Sequence, residues 1–183
     1  MYNTLCISDR LILRQFAKED SAALQALANN RKVGAIIGLP YPYTVEMADE
    51  WIKSHPSLLA SGTEYPLAII DRICGQMVGT ITLRVDKANR MGEIGYWIGA
   101  SFWGRGYAPE AVRILMNFAF KNLQLNKIWA AVLCRNHASI RVLEKVGMVL
   151  EATMKEHRYH NGKYEDLAYY CLFRRKWQSE FFR

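Results

Sequence analysis

The sequence predicts an α+β domain built on a mixed, mostly antiparallel sheet of seven strands interleaved with helices. Three observations carry this. Between Glu93 and Glu110 a glycine pair separates a strand-like run from a helix-like run. Asn161-Gly162 lies between two long stretches of strand character and is the strongest hairpin signal in the chain. The apolar run Lys127 to Leu133 follows that helix, so a right-handed helical crossover can set it parallel to the strand ending at Ile98.

Taken in order, Leu11 to Gln15 alternates as a first strand, and Lys18-Glu19-Asp20 opens a helix carrying Ala22, Ala23, Leu24, Leu27 and Ala28. Gly34 to Tyr43, with Gly38, Pro40 and Pro42, reads as a loop. Thr44 is a suitable N-cap for a second helix over Val45 to Leu59. Glu64 to Asp71 and Gln76 to Val85 form a hairpin that reverses near Gly75, and Met91 to Ile98 is the next strand. Pro109 has the geometry of a first helical position, and Ala111, Ile114, Leu115, Phe118 and Ala119 give that helix an apolar face as far as about Asn122. Lys127 to Leu133 reads as a strand buried on both faces. Asn136 to Val146 is a helix closed by a left-handed Gly147, and Met148 to Tyr159 and Lys163 to Phe173 are the hairpin strands. The order β-α-α-β-β-β-α-β-α-β-β runs without repeat or linker, as expected of a single domain over residues 1–183.

Composition bounds the function. With 51% hydrophobic and 22% charged residues the chain is of ordinary globular type. No apolar run approaches about 18 residues, so no membrane span is expected. Met1-Tyr2-Asn3-Thr4 has no basic segment leading into an apolar one, and Cys6, Cys74, Cys134 and Cys171 lack metal-ligand spacing and read as reduced thiols. A cytoplasmic, metal-free protein is expected. The net charge of +7 comes without a nucleic-acid motif, Arg174-Arg175-Lys176 being the nearest basic run. It reads as a solvated surface that also attracts an anionic cofactor, and it disfavours a polyamine substrate.

The stretch Glu-Ile-Gly-Tyr-Trp-Ile-Gly-Ala-Ser-Phe-Trp-Gly-Arg-Gly-Tyr-Ala-Pro-Glu, from Glu93 to Glu110, carries the chemistry. Glycines bring backbone N–H groups close to an anion, and a helix start adds unpaired donors and partial positive charge. The loop has neither the P-loop spacing nor that of the dinucleotide fingerprint. Trp103-Gly104-Arg105-Gly106-Tyr107-Ala108 instead resembles the Gln/Arg-x-x-Gly-x-Gly/Ala signature of the GCN5-related N-acetyltransferases (GNAT family), with Trp103 in place of the leading Gln or Arg. Glu93 to Ile98 and Asn136-His137-Ala138-Ser139 are also similar to that family, most of all to its ribosomal-protein N-terminal acetyltransferase (RimJ/RimL-type) branch.

The resemblance implies the GNAT fold, with helices on both faces of the sheet and a splayed parallel strand pair that admits the pantetheine arm of acetyl-coenzyme A. It implies pantetheine contacts from Trp97 and Ile98 main chain, and pyrophosphate contacts from the amides of Gly104, Arg105, Gly106, Tyr107 and Ala108. Asn136 would touch pantetheine and Ser139 would donate a proton to the departing thiolate. An N-cap and a first-turn residue explain the Asn136/Ser139 pair as readily. Glu93 is the first choice for the base that takes the amine proton, and also reads as a solvated strand-end carboxylate. His157 in Glu156-His157-Arg158-Tyr159 is a second choice, with Tyr159 and Tyr164 as further proton donors. A backbone N–H near Trp97 would stabilise the oxyanion. Tyr41, Tyr43 and Trp51 read either as acceptor contacts or as cleft wall. The implied acceptor is a primary amine, with a ribosomal protein N-terminus ahead of a polyamine, amino acid or aminoglycoside, and a non-catalytic acyl-coenzyme A sensor is the alternative of another class. A homodimer suits the long terminal strands.

Overall fold

The computed structural model describes residues 4–160 and 162–181. Its strands are β1 (Thr4–Ile7), β2 (Leu11–Gln15), β3 (Glu64–Asp71), β4 (Met77–Asp86), β5 (Met91–Ile98), β6 (Lys127–Leu133), β7 (Val149–His160) and β8 (Lys163–Phe173). Its helices are α1 (Ser21–Ala28), α2 (Arg31–Ile37), α3 (Val45–Lys53), α4 (His55–Ser61), α5 (Tyr107–Lys121), α6 (His137–Lys145) and α7 (Arg174–Phe181). Among the described residues one sheet of eight strands runs β1-β2-β3-β4-β5-β6-β8-β7, antiparallel except for β5 and β6. The expectation of seven strands is corrected to eight. The added strand, β1, is a short edge element whose pairing with β2 is offset by a bulge between Thr4 and Cys6.

Several other expectations shift for local reasons. The predicted second helix is two, because the chain turns at Ser54 and Pro56 sits in the first turn of α4, where its missing N–H costs no bond. Part of the predicted loop is α2, capped by the Asn30 side chain and closed by left-handed Gly38. α5 begins at Tyr107 with Gly106 as its cap, so Pro109 is the third helical residue rather than the first. That position is also free of an intrahelical N–H bond. The β7–β8 hairpin forms, with Gly162 at φ +84°. Asn161 lies outside the described residues.

Strand alternation fills both faces of the sheet. Leu67 and Ile69 of β3 join Leu13, Ile81, Leu83 and Ile94 beneath Leu115, Met116 and Phe120 of α5 and Leu143 of α6. Ala68 and Ile70, one residue out of phase, meet Leu24 and Ala28 of α1 and Ala48 and Ile52 of α3 on the other face. α5 and α6 therefore cover one face, and α1 and α3 the other. β6 alternates between buried and partly buried residues instead of being buried on both faces. No helix among the described residues is long and apolar enough to cross a membrane.

Candidate active site

The site begins where two neighbouring strands part. β5 pairs with β4 along its full length, from Met91 to Ile98. Its parallel pairing with β6 covers only Met91↔Lys127, Gly92↔Ile128 and Glu93↔Trp129. Beyond Glu93 the two strands diverge around a cavity of about 390 Å³ that reaches both faces of the sheet. Asn136, Ser139 and Leu143 line it from α6, while Tyr43, Trp51 and Leu24 line it from the α1–α3 side.

Main-chain orientation along β5 follows from its register with β4. The Gly99 N–H donates to the Val78 carbonyl at 2.9 Å, and antiparallel pairs alternate between bonded and non-bonded. Trp97 therefore turns its main-chain groups toward β4, and a Cβ on Gly79 would lie 2.3 Å from the Trp97 carbonyl oxygen. Ile94, Tyr96 and Ile98 turn theirs toward the gap. This corrects the expectation for Trp97, whose main chain belongs to the β4 ladder, and brings in Tyr96. The Ile98 carbonyl is already engaged, accepting a 2.7 Å bond from the Trp103 indole. The aromatic at the departing signature position thus ties the glycine loop to the end of β5.

Within that loop Gly104 has φ +77° with open space around it, and Gly106 caps α5 at φ +79°. Both conformations are costly for residues with a Cβ. Arg10 braces the loop from outside: its Nη1 donates to the Arg105 carbonyl at 3.3 Å and its Nε to Glu110 Oε2 at 2.8 Å. Below the loop the Tyr107 hydroxyl donates to Asp71, which holds that carboxyl below its usual range and raises the phenol. The Gly104–Ala108 backbone is thus fixed at the start of a fifteen-residue helix, where anions are favoured.

Asn136 is the N-cap of α6, its Oδ1 accepting from the Ser139 N–H at 3.2 Å, and its residue also borders the cavity. Just before it, Arg135 forms a two-pronged ion pair with Glu165 of β8 that fixes the turn out of β6. The Tyr96 hydroxyl lies 2.8 Å from Ser139 Oγ. Burial pushes this phenol up to about 12, so it stays protonated as the partner of the serine hydroxyl. Sequence reasoning missed Tyr96. Strand parity could have found it, since Tyr96 shares a face with Ile94 and Ile98, the face that α5 and α6 cover.

Glu93 has the opposite parity and lines the cavity with Arg84, whose Nη1 is 3.7 Å from Glu93 Oε1 and whose Nε is 3.2 Å from Glu64 Oε1. Of the stretch Glu156 to Tyr159 only Arg158 borders this cavity. His157 packs edge-on against Tyr169 at 6.2 Å, and Tyr159 lies 5.2 Å from Tyr164, away from the gap. Glu93 is therefore the one carboxylate lining the cavity among the described residues. Tyr43 and Trp51 form its wall, whereas Tyr41 lies under the Arg31 guanidinium. His160 Nε2–H donates to the Ala35 carbonyl at 2.8 Å and ties the end of β7 to α2.

A family model described as "Acetyltransferase (GNAT) domain" matches residues 10–149. YdaF of Bacillus subtilis (strain 168), named as a candidate ribosomal N-acetyltransferase, is 34% identical over 138 residues, covering 75% of this chain and 73% of that protein. The spermidine N(1)-acetyltransferase of Escherichia coli (strain K12) is 25% identical over 170 residues, 92% of this chain and 88% of its own. The solved structure of RimL, a ribosomal L7/L12 alpha-N-protein acetyltransferase, superposes with a TM-score of 0.84 at 24% identity, over 94% of this chain and 95% of that one.

Proposed function

Because this chain belongs to the GNAT family and is an acetyl-coenzyme A-dependent N-acetyltransferase, we infer that the gap between β5 and β6 is where a primary amine, for which a protein N-terminus is the leading choice, meets the thioester. The observation that carries this is the end of parallel pairing at Glu93 and Trp129, which leaves one cavity shared by Ser139, Tyr96 and Glu93. The amides from Gly104 to Ala108 would hold the pyrophosphate. Main-chain groups of Tyr96 and the Ile98 N–H would pair with pantetheine as an added strand, with Asn136 beside it.

The chemistry is direct transfer. An ammonium acceptor has no lone pair, so Glu93, directly or through one water, takes a proton from it. The freed amine nitrogen attacks the thioester carbonyl carbon. The oxyanion is met by a gap-facing N–H of β5, and collapse breaks the carbon–sulfur bond. The nitrogen, cationic after attack, gives its second proton to solvent, while the thiolate takes the Ser139 hydroxyl proton, which is restored from solvent through the Tyr96 phenol. An N-acetyl amine and free coenzyme A leave. A thiol near pKa 8.5 departs with modest help, so a hydroxyl pair suffices where an alkoxide leaving group would need a stronger acid. No acyl-enzyme is required.

Coenzyme A release measured against peptides with free N-termini and against small amines tests the reading. Turnover with intersecting initial-rate lines is expected. Binding of acetyl-coenzyme A without release for any acceptor would instead make the protein an acyl-coenzyme A sensor, and a trapped acetyl-cysteine would refute direct transfer.

A further inference from the structure

The charges that face the acceptor part of the cavity are unlike those expected for a polycation. They are Glu93 of β5, Arg84 of β4 and Arg158 of β7, with the neutral phenols of Tyr43 and Tyr96 completing the titratable set. Arg84 is spoken for: it sits between Glu93 at 3.7 Å and Glu64 at 3.2 Å, which balances it on both sides. Arg158 makes no ion pair or hydrogen bond with the described residues, although Glu165 lies directly across the β7–β8 ladder. That carboxylate is held by Arg135 in a two-pronged pair and is not available to it. A bulge between Met154 and Arg158, with Glu156 at φ +49°, sets the register that brings Arg158 to the cavity and leaves His157 on Tyr169. Among the described residues the cavity thus offers one carboxylate, already partnered by a guanidinium, and one guanidinium with no partner.

We propose that the acceptor carries an anionic group close to its amine, a carboxylate within a residue or two of a peptide N-terminus or on a small amino acid-like molecule, and that Arg158 recognises it. This deepens the acetyltransferase reading and rests on it. Guanidinium and carboxylate pair in a planar, two-bond geometry, so Arg158 orients the acceptor as well as attracting it. The amine then lies toward Glu93, at the end of the parallel pairing. A polyamine would bring several positive charges against Arg158 and Arg84 with a single partnered carboxylate to meet them, and like charges in a half-enclosed site discriminate strongly. Glu93 and Arg158 line the same cavity, so amine and anion are near neighbours in the acceptor.

The test compares kcat/KM for Ala-Glu-Ala-Ala, Ala-Gln-Ala-Ala, Ala-Lys-Ala-Ala and spermidine, read by coenzyme A release. The wild-type order should fall from the glutamate peptide to the lysine peptide by about tenfold or more, with spermidine last. Arg158→Glu should reverse the peptide order, and Arg158→Gln should level it. Acetyl-coenzyme A affinity by calorimetry should stay within about twofold in both, since Arg158 is remote from the glycine loop in chain and element. Arg158 is exposed and makes no bond with the described residues, so both variants should fold. Should one not, the wild-type series and the other variant still decide. Equal rates on the three peptides, or a preference for spermidine, would overturn the anionic acceptor and leave the acetyltransferase reading intact. Failure to release coenzyme A with every acceptor would overturn both.

Discussion

His55 provides a quantitative test of how the cavity wall around Trp51 is built. It is the first residue of α4, 3% exposed, with Trp51 edge-on at 4.3 Å and Phe16 at 5.2 Å. Neither ring nitrogen has a partner among the described residues. An imidazolium there would be a buried, unbonded cation, and burial pushes its pKa from 6.5 down to about 4. The unfolded chain therefore binds more protons than the folded one between those two values, so stability rises with pH across that window. The contribution is fully present above about pH 6.5 and is lost as pH falls toward 4. At about 1.4 kcal/mol per pKa unit, the full span corresponds to roughly 3 kcal/mol, of which roughly 2 kcal/mol should be lost between pH 7 and 4.5. That is a large share of the roughly 5–15 kcal/mol typical of a domain. His55→Phe keeps a ring against Trp51 and removes the titration. Urea unfolding followed by tryptophan fluorescence, at steps from pH 7.5 to 4.5, should show the wild type losing stability faster than His55→Phe by that amount, because all carboxylates titrate alike in both. Parallel curves would refute the account and mean that water or a neighbour satisfies the ring. Since Trp51 lines the cavity proposed to take the acceptor, the same acid range should raise the acceptor KM in the wild type before the protein unfolds.

The remaining predictions concern the chemistry. Gly106→Val places a β-branched residue at φ +79° with its Cβ about 3.5 Å from Arg10 Nη2, so acetyl-coenzyme A affinity in calorimetry should fall by at least about tenfold; an unchanged affinity would remove the loop from the binding site. Ser139→Ala should lower kcat by about a hundredfold with little change in acetyl-coenzyme A affinity, and Tyr96→Phe should lower it less, since the serine can still give its own proton. Undiminished turnover in Ser139→Ala would end the proposed donor role. Glu93→Gln should cut kcat/KM at neutral pH by about a hundredfold and recover as pH rises and the free amine becomes abundant. A variant pH profile superimposable on the wild type would show that another group or solvent accepts the proton.

Much of the fold was legible because its strands have clear punctuation. β3, β5, β6 and β8 lie at the bounds read from alternation and turn residues, and Thr44, Asn136 and Gly147 cap the helices where capping chemistry predicts. What escaped is short or mixed. β1 has four residues and a bulge, and α2 carries Gly34 inside it. α7 opens with a basic run and is anchored mainly by Trp177, whose indole donates to Asn117 at 2.9 Å. The site was legible by residue type and less so by orientation. Side-chain parity can be counted along β5, but which carbonyls face the gap depends on the register with β4, and that register is a long-range fact. Trp97 turns its main chain to β4 and Tyr96 to the gap for this reason. Arg158, rather than His157, reaches the cavity because of a bulge whose place no local pattern announces.

Parity also lets one short strand serve both halves of the proposed transfer. Glu93 and Tyr96 are three positions apart, so their side chains leave β5 on opposite faces. On one face the Tyr96 phenol and Ser139 hydroxyl stand beneath α6, a neutral pair suited to giving a proton to sulfur. On the other, Glu93 stands with Arg84 beneath α1 and α3, a charged group suited to taking a proton from nitrogen. Closed pairing with β6 would separate the two faces, and neither group could act on a shared carbonyl carbon. The loss of pairing after Glu93 removes that partition over the length where the two chemistries must meet. Lengthening the parallel pairing by even two residues would bury the gap-facing main-chain groups of Ile94 and Tyr96 in a ladder, and should abolish transfer with every side chain of the proposed mechanism still present.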